Sequence, residues 1–181
     1  LAGDRALLND LRQGIAPTQM WPAAEYFKAK FAEQQQRHER YHDTAYNLEP
    51  NVKEGPGGLR DVQMLTWVAL RRFGEHPIRA LLAHRFLTKA EERGLRASRD
   101  FLWRVRWGLH RLAKRAEERL LFEYQTSLAE QFGYKDSASE SNRGVEQFMQ
   151  DYYRHVMKLE RLNERVLQQY QEEFISHSTQ P

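Results

Sequence analysis

Residues 47–61 read Asn47-Leu-Glu-Pro-Asn-Val-Lys-Glu-Gly-Pro-Gly-Gly-Leu-Arg-Asp61 and lie between two stretches with helical patterns. This segment, the 47–61 loop, holds three of the ten glycines and two of the six prolines. Pro50 and Pro56 lack a backbone donor and bias the preceding residue away from the helical region. Glycine allows positive φ and a close approach of the main chain to a neighbour or a ligand. The pattern predicts a compact turn that leads into a helix, with Asp61 in or just before the first turn.

Two interpretations of this turn stay open on spacing alone. A glycine-rich turn before a helix leaves N–H groups that are suited to a phosphate. Alternatively, the glycines are ordinary helix punctuation and Asp61 satisfies the free donors of the first turn. The segment is not a P-loop, because no Lys-Ser/Thr pair follows the glycines and no strand precedes them.

The rest of the chain is dominated by helical periodicity. No alternating strand pattern and no internal repeat is present, so the sequence predicts an all-α fold, an irregular bundle of about six to seven helices, three of them long. Capping residues are expected at Thr18, at Thr88 with Glu91, and at Ser127 with Glu130. The predicted helices cover residues 4–13, 21–46, 62–73, 77–83, 89–116, 127–132 and 145–175, and residues 135–144 are predicted to be a loop.

The two longest downstream helices have clear apolar stripes. In the last helix the stripe advances in steps of three and four: Val145, Phe148, Tyr152, Val156, Leu159, Leu162, Val166, Tyr170 and Phe174. In the helix at 89–116 a core side and an adjacent basic, aromatic side can be separated at 100° per residue. The core side holds Leu102, Val105, Leu109, Leu112 and Ala116. The basic side holds Arg99, Trp103, Arg106, His110 and Lys114, and we expect Trp103 and Trp107 to complete the core.

Composition limits the class of protein. A chain of 181 residues with 40% hydrophobic residues is long enough for one sizeable core and predicts a single domain at 1–181. No cysteine is present, which excludes a disulfide framework and is typical of the cytoplasm. No apolar run approaches the ~20 residues that a membrane helix needs. The chain begins with Leu, and we interpret it as a piece of a longer protein.

Charge is unevenly distributed along the chain. By count, residues 1–59 carry 7 basic and 8 acidic side chains, residues 60–119 carry 15 and 7, and residues 120–181 carry 6 and 10. The middle third is therefore the part that attracts anions.

Metal and nucleophile chemistry are not indicated by the residue patterns. His38 and His42 have the i, i+4 spacing of a zinc helix and lie beside Glu39 and Asp43. The His-Glu-x-x-His order and a third ligand are absent, so a solvated helix face is the favoured interpretation. No cysteine and no Gly-x-Ser-x-Gly elbow is present. We assign no catalytic residue and no metal ligand to this chain.

The amino-acid sequence of the 47–61 loop and its flanks resembles that of one enzyme family. The loop with Val62, followed by Trp67-Val-Ala-Leu-Arg-Arg-Phe-Gly74, resembles the bacterial PII uridylyltransferase/uridylyl-removing enzymes, the GlnD family. A shorter Lys-x-Gly-x-Gly-Gly-hydrophobic-x-Asp pattern is similar to the glutamine synthetase adenylyltransferases. The resemblance extends to Trp21-Pro, Phe27, Lys30, Glu33-Gln, Arg37-His and Arg40-Tyr-His upstream, and to Phe101-Leu-Trp-Arg-Val-Arg, Leu109-His, Arg119-Leu-Leu-Phe, Gln125 and Leu128-Ala downstream.

The resemblance implies a role inside a larger enzyme. In that family a nucleotidyltransferase core lies upstream of the helical domain and a His-Asp phosphohydrolase domain lies downstream. The parent enzyme transfers UMP from UTP to a tyrosine of the PII signal protein with Mg²⁺, reverses this by hydrolysis, and responds to glutamine. The Gly-Ser and Asp-x-Asp elements of the core are not in this sequence, so we expect the chain alone to be inactive and any Mg²⁺ ligands to lie outside it.

The resemblance also implies which residues frame the site. The 47–61 loop would face the nucleotidyltransferase domain, with Lys53 and Arg60 pairing with phosphate oxygens of UTP and Gly57 and Gly58 allowing the main chain to approach. Arg60 and Asp61 instead hold each other or the loop in the alternative that we keep open. The predicted substrate-binding residues are Lys53, Gly57, Gly58, Arg60 and Asp61.

A second class of function is kept for the basic side of the long helix. Interleaved Arg and Trp at residues 96–115 are typical of single-stranded nucleic-acid binding or of docking to an acidic protein surface. The modest net charge of +3 and the lack of a nucleic-acid motif disfavour nucleic acid. The alternative function is thus a non-catalytic helical interaction module.

Overall fold

A computed structural model describes residues 3–16, 19, 21–41, 47–74, 76–136 and 142–178, the last five of these by backbone only. The prediction of an all-α fold is confirmed, since these residues form seven helices and no strand. A single antiparallel bridge joins Asn51 to Arg119. The helices are α1 Arg5–Gly14, α2 Ala23–Glu39, α3 Leu59–Phe73, α4 Pro77–Ala83, α5 Lys89–Ala113, α6 Phe122–Gln131 and α7 Arg143–Ser178.

Helix α7 is the axis of the core, and α3, α5 and α6 pack against it. Its predicted stripe is buried from Phe148 to Tyr170. At its far end the ring of Tyr170 stacks on Phe86, with centroids 4.2 Å apart, so the link between α4 and α5 joins the same core. Burial of one large side chain is worth about 1.5–3 kcal/mol, and this stripe therefore fixes the register of α7 against its neighbours.

Several predicted helix boundaries are confirmed by specific caps. Gly74 ends α3 with φ of 68°, and α4 covers the predicted residues. Thr88 and Glu91 form the predicted reciprocal capping box at the start of α5. Helix α5 ends at Ala113 rather than at residue 116, because Lys114 adopts the left-handed conformation with φ of 53°.

Two further predicted boundaries are wrong. Helix α2 ends at Glu39 and not near residue 46, because the Tyr41 N–H turns back to the His38 carbonyl. Helix α6 begins at Phe122, so Ser127 lies inside it rather than at a capping box. The N–H of Phe122 donates to the Glu49 carboxylate, a cap supplied from the distant 47–61 loop. The expected cap at Thr18 and the histidine at 42 lie outside the described residues.

The prediction that Trp103 and Trp107 complete the core is also wrong. Trp103 is 44% exposed and Trp107 is 64% exposed. The core side of α5 is correct for Leu102, Val105 and Leu109, which are buried. Neighbouring helices cover that side alone, so the indoles on the adjacent side remain at the surface. Within the part of the chain that the structure describes, no helix is long and apolar enough to cross a membrane.

Candidate functional site

The backbone of the 47–61 loop is held by its own hydrogen bonds. From Val52 to Asp61, every residue that has an N–H group donates it within the chain. The Val52 N–H reaches the Glu118 carbonyl at 2.8 Å. Asn51 accepts the N–H groups of Lys53 and Glu54 with its side-chain oxygen and that of Gly55 with its carbonyl. The donors that continue into α3 are Gly57 to the Asp61 carboxylate, Gly58 to Gly55 O, Leu59 to Val52 O, Arg60 to Lys53 O and Asp61 to Gly58 O.

This pattern bears on the phosphate interpretation of the loop. The free donors at a helix N-terminus are what make it attractive to an anion. Here the N–H groups from Gly57 to Asp61 already have partners inside the chain. A phosphate at this end of α3 would have to displace one of these bonds, so side chains are better placed than the main chain to hold an anion.

Asp61 is the centre of a buried polar cluster, which we call the Asp61 brace. Its side chain is 0% exposed. One carboxylate oxygen accepts from the Arg37 guanidinium at 2.6 Å, and His38 Nε2 lies 3.1 Å from both oxygens. The other oxygen accepts the Gly57 N–H at 2.8 Å. A single carboxylate therefore joins α2, the 47–61 loop and the first turn of α3.

Two further polar contacts extend the brace to α7 and to the loop backbone. The Asn163 side chain donates to the Asp61 carbonyl at 3.2 Å and accepts from Gln34 at 2.6 Å. Arg37 also donates to the Glu54 carbonyl at 2.8 Å. Buried polar groups are stable only when they are paired. These pairs therefore fix the positions of α2 and α7 around the loop.

The glycines at the tip of the loop are required by packing. Gly57 has φ of 69°, and a Cβ there would lie 2.3 Å from the Val156 carbonyl on α7. A Cβ at Gly58 would lie 2.7 Å from the Gly55 carbonyl. The close approach predicted for these glycines is thus made to α7 and to the loop itself. Contact of either glycine with a substrate stays a prediction.

Lys53 and Arg60 lie in a cluster of opposite charges at the surface of the loop. The Arg60 guanidinium is 3.0 Å from the Glu54 carboxylate, donates to Gln63 at 2.9 Å, and lies 5.7 Å from the Trp67 ring centroid. Lys53 Nζ is 3.5 Å from Glu54 and 4.0 Å from Glu118, and its side chain is 30% exposed. Arg60 is therefore held on three sides, whereas Lys53 makes two long ion pairs and can turn to another anion.

Glu118 links the loop cluster to the basic side of α5. Its carboxylate accepts two hydrogen bonds from Arg106 at 2.6 and 2.8 Å. His110 Nε2 lies 3.6 Å away, which is too long for a hydrogen bond. Burial raises the pKa of Glu118, but the hydrogen bonds and positive charge of Arg106 outweigh it, so this pKa is lowered overall. Burial also raises the pKa of Glu54, but the Arg60 hydrogen bond and the positive charges of Arg60, Lys53 and Arg37 together outweigh it, so this pKa is lowered overall as well. Both carboxylates are therefore ionised at neutral pH.

The structure brings the five predicted residues together but gives them different surroundings. Lys53 and Arg60 reach the surface, whereas Asp61 is buried beneath them. The alternative that Arg60 and Asp61 hold each other is not what is seen, because Arg60 pairs with Glu54 and Asp61 with Arg37. Asp61 does hold the loop. Substrate contact by these five residues stays a prediction.

Sequence reasoning missed the partners that complete the cluster. Arg37, Glu118 and Asn163 come from α2, from the α5–α6 link and from α7, which are 24 to 102 residues distant in sequence. One signal for Arg37 was present, the run of polar residues at 33–40, because an arginine that becomes buried there needs a carboxylate partner. Among the described residues no group of three His, Asp or Glu side chains could hold a metal ion.

Comparison with known proteins assigns the chain to a family. Residues 25–167 match the family described as GlnD PII-uridylyltransferase. The chain belongs to this family. It is 52% identical over 172 residues to the bifunctional uridylyltransferase/uridylyl-removing enzyme of Methylococcus capsulatus, and the match covers 95% of the chain. The enzymes of the same name from Nitrosococcus oceani and Pseudomonas putida are 50% and 47% identical, over 97% and 100% of the chain.

The chain spans about a fifth of the length of these GlnD relatives, 19% in Methylococcus capsulatus and 20% in Pseudomonas putida. The match includes the whole 47–61 loop and the helices that brace it. No solved structure matches the chain.

Proposed function

We propose that this chain is the helical part of a PII uridylyltransferase/uridylyl-removing enzyme and that its 47–61 loop frames the UTP and PII site of an adjacent nucleotidyltransferase core. The parent enzyme would move UMP from UTP to a PII tyrosine, with Mg²⁺ held by residues outside this chain. Membership of the GlnD family supports the parent activity, and the geometry of the loop supports the local role.

The observation that carries the local role is the contrast between the loop backbone and Lys53. The N–H groups from Val52 to Asp61 have partners inside the chain, while among the described residues the ammonium group of Lys53 has only the long ion pairs at 3.5 and 4.0 Å. A point charge on a rigid support is suited to pairing with phosphate oxygens, because little ordering is required on binding. Glu54 and Glu118 would hold Lys53 away from the substrate until a more highly charged polyphosphate arrives.

Arg60 has a different part in this proposal. Its guanidinium is already bound by Glu54, Gln63 and the Trp67 ring. It would neutralise Glu54, so that the loop does not repel a triphosphate. Removal of Arg60 would therefore weaken UTP binding indirectly, through an unpaired carboxylate beside Lys53.

The test is transfer of labelled UMP to PII by the intact parent enzyme. We expect Lys53→Ala to lower kcat/KM for UTP about tenfold, which corresponds to ~1.4 kcal/mol. Arg60→Ala should also lower it. Lys28→Ala, a change of an exposed lysine on α2, is the matched control and should leave transfer unchanged. Helicity measured by circular dichroism excludes misfolding as the cause.

Unchanged transfer in Lys53→Ala and Arg60→Ala, with helicity intact, would overturn this local role. The loop would then serve only to brace the neighbouring domain. The alternative function, a helical interaction module, is supported by a separate feature, the exposed indoles on α5. These residues lie outside the 47–61 loop, so both functions are compatible in one chain.

A further inference from the structure

A stripe of exposed side chains runs along α5. Trp103 and Trp107 are 44% and 64% exposed, and Arg111 and Lys114 at the end of the helix are exposed as well. Steps of four residues place Trp103, Trp107 and Arg111 on one face of the helix, and Lys114 follows as the left-handed residue that ends it. We call this set the α5 stripe. It is separate from the residues of the 47–61 loop.

The stripe combines apolar rings with positive charge. The Arg111 guanidinium lies 5.1 Å from the Trp107 ring centroid and donates to Gln131 at 3.2 Å. Among the described residues, no carboxylate lies within ion-pair distance of Arg111 or Lys114. Residues 99–119 contain seven Arg and Lys against three Asp and Glu. An occupant must therefore offer negative charge together with apolar surface.

The occupant that fits is an acidic protein surface rather than a nucleic acid. Trp and Arg are the residues that most often dominate binding energy at protein interfaces. Around the stripe, two of the other arginines are paired with carboxylates: Arg99 lies 2.7 Å from Asp100 and Arg106 lies 2.6 Å from Glu118. These carboxylates would repel a polyphosphate backbone, which needs a continuous row of cations.

The size of the stripe indicates a tethered occupant. From Trp103 to Lys114 it is about 16 Å long at the rise of an α-helix. A stable interface between separate proteins needs roughly 800 Å² from each partner, and four side chains on this length of helix supply only part of that area. Tethering in one polypeptide raises the effective concentration to the millimolar range and makes a small patch sufficient. The chain spans only 19% of its Methylococcus capsulatus relative, so such enzymes contain a large further polypeptide.

We propose that the α5 stripe docks onto an acidic, partly apolar surface elsewhere in the same polypeptide of the full-length enzyme. The proposal rests on the proposed function only in that this chain works inside a longer enzyme. It assigns to α5 a contact within the enzyme that is independent of UTP and of PII.

The test places a photo-crosslinking amino acid in the full-length enzyme at Trp107, which is 64% exposed. With Trp107→p-benzoylphenylalanine we expect a crosslink within the same polypeptide, to a segment rich in Asp and Glu, with a yield that does not change on tenfold dilution. The same replacement at Gln168, an exposed position on α7, is the control and should not give that crosslink. Crosslinks only to PII, to nucleic acid or to a second enzyme molecule, or no crosslink, would overturn the proposal.

A charge reversal tests the electrostatic part. Adding Lys114→Glu should lower the crosslink yield about threefold, the effect of losing an exposed ion pair and gaining a like-charge contact. Lys28→Glu, on α2, should leave the yield unchanged. Equal yields in both would contradict an acidic occupant. This assay contains neither UTP nor PII, and Lys53→Ala leaves the stripe intact, so the two proposals fail separately.

Discussion

At the residue scale, the Asp61 carboxylate has a structural role, although it lies in a segment whose glycines and helix start are also typical of a ligand site. Asp61 stands in the first turn of α3, where an acid is favourable on electrostatic grounds. Its oxygens are used by Arg37, His38 and the Gly57 N–H. The side chain is therefore needed for the shape of the loop whether or not a substrate is bound.

Removal of this charge is expected to be costly. Asp61→Asn leaves the buried Arg37 without its carboxylate, which costs about 3–5 kcal/mol. The measurement is the free energy of unfolding in urea. Asp100→Asn is the matched control, since its side chain is 62% exposed and, among the described residues, forms an ion pair only with Arg99, and such pairs are worth about 0–1 kcal/mol. Equal losses in the two variants would contradict the Asp61 brace.

At the scale of single elements, the helices differ in how far local sequence determines them. The C-terminal end of α3 follows from Gly74 and the start of α5 from the Thr88–Glu91 capping box, and both were predictable. The start of α6 depends on Glu49, 73 residues away, and no local pattern reveals it. Helix α5 shows the same limit for burial. Angular spacing separates its faces, but which face is covered depends on where α6 and α7 pack.

The contact between the loop and α7 makes a second prediction. Gly57→Ala is strained at φ of 69° and places Cβ 2.3 Å from the Val156 carbonyl. Gly133→Ala has a similar positive φ of 87° with no atom within 4 Å among those described, and is the matched control. Conformational strain costs each variant about 1–2 kcal/mol, and overpacking adds about 1–3 kcal/mol at Gly57 alone.

Thermal or urea unfolding of the two variants separates these effects. A loss in Gly57→Ala no larger than in Gly133→Ala would show that the loop does not pack tightly on α7. A larger loss would show that the glycine at the loop tip is explained by packing, with no need of a ligand.

At the scale of the whole molecule, the helical class and the position of the candidate site could be read from the sequence. The periodic stripe of α7 and the glycine-rich 47–61 loop are local sequence signals. The stripe is buried as predicted, and the loop leads into a helix as predicted. The side chains that pair with the loop inside the fold could not be predicted from the sequence. Arg37, Glu118 and Asn163 meet the loop only after α2, α5 and α7 have packed, and pairing over such distances leaves no spacing in the sequence.

We infer that the 47–61 loop has its shape before any substrate arrives. The most direct test is amide hydrogen exchange of this chain with no nucleotide and no PII present. We expect the amides of Val52, Gly57, Leu59 and Arg60 to be protected at least about a hundredfold, which corresponds to ~2.7 kcal/mol for local opening. Exchange of these amides at the rate of an unstructured peptide, slowed only after UTP is added, would show that the ligand orders the loop and would contradict the claim.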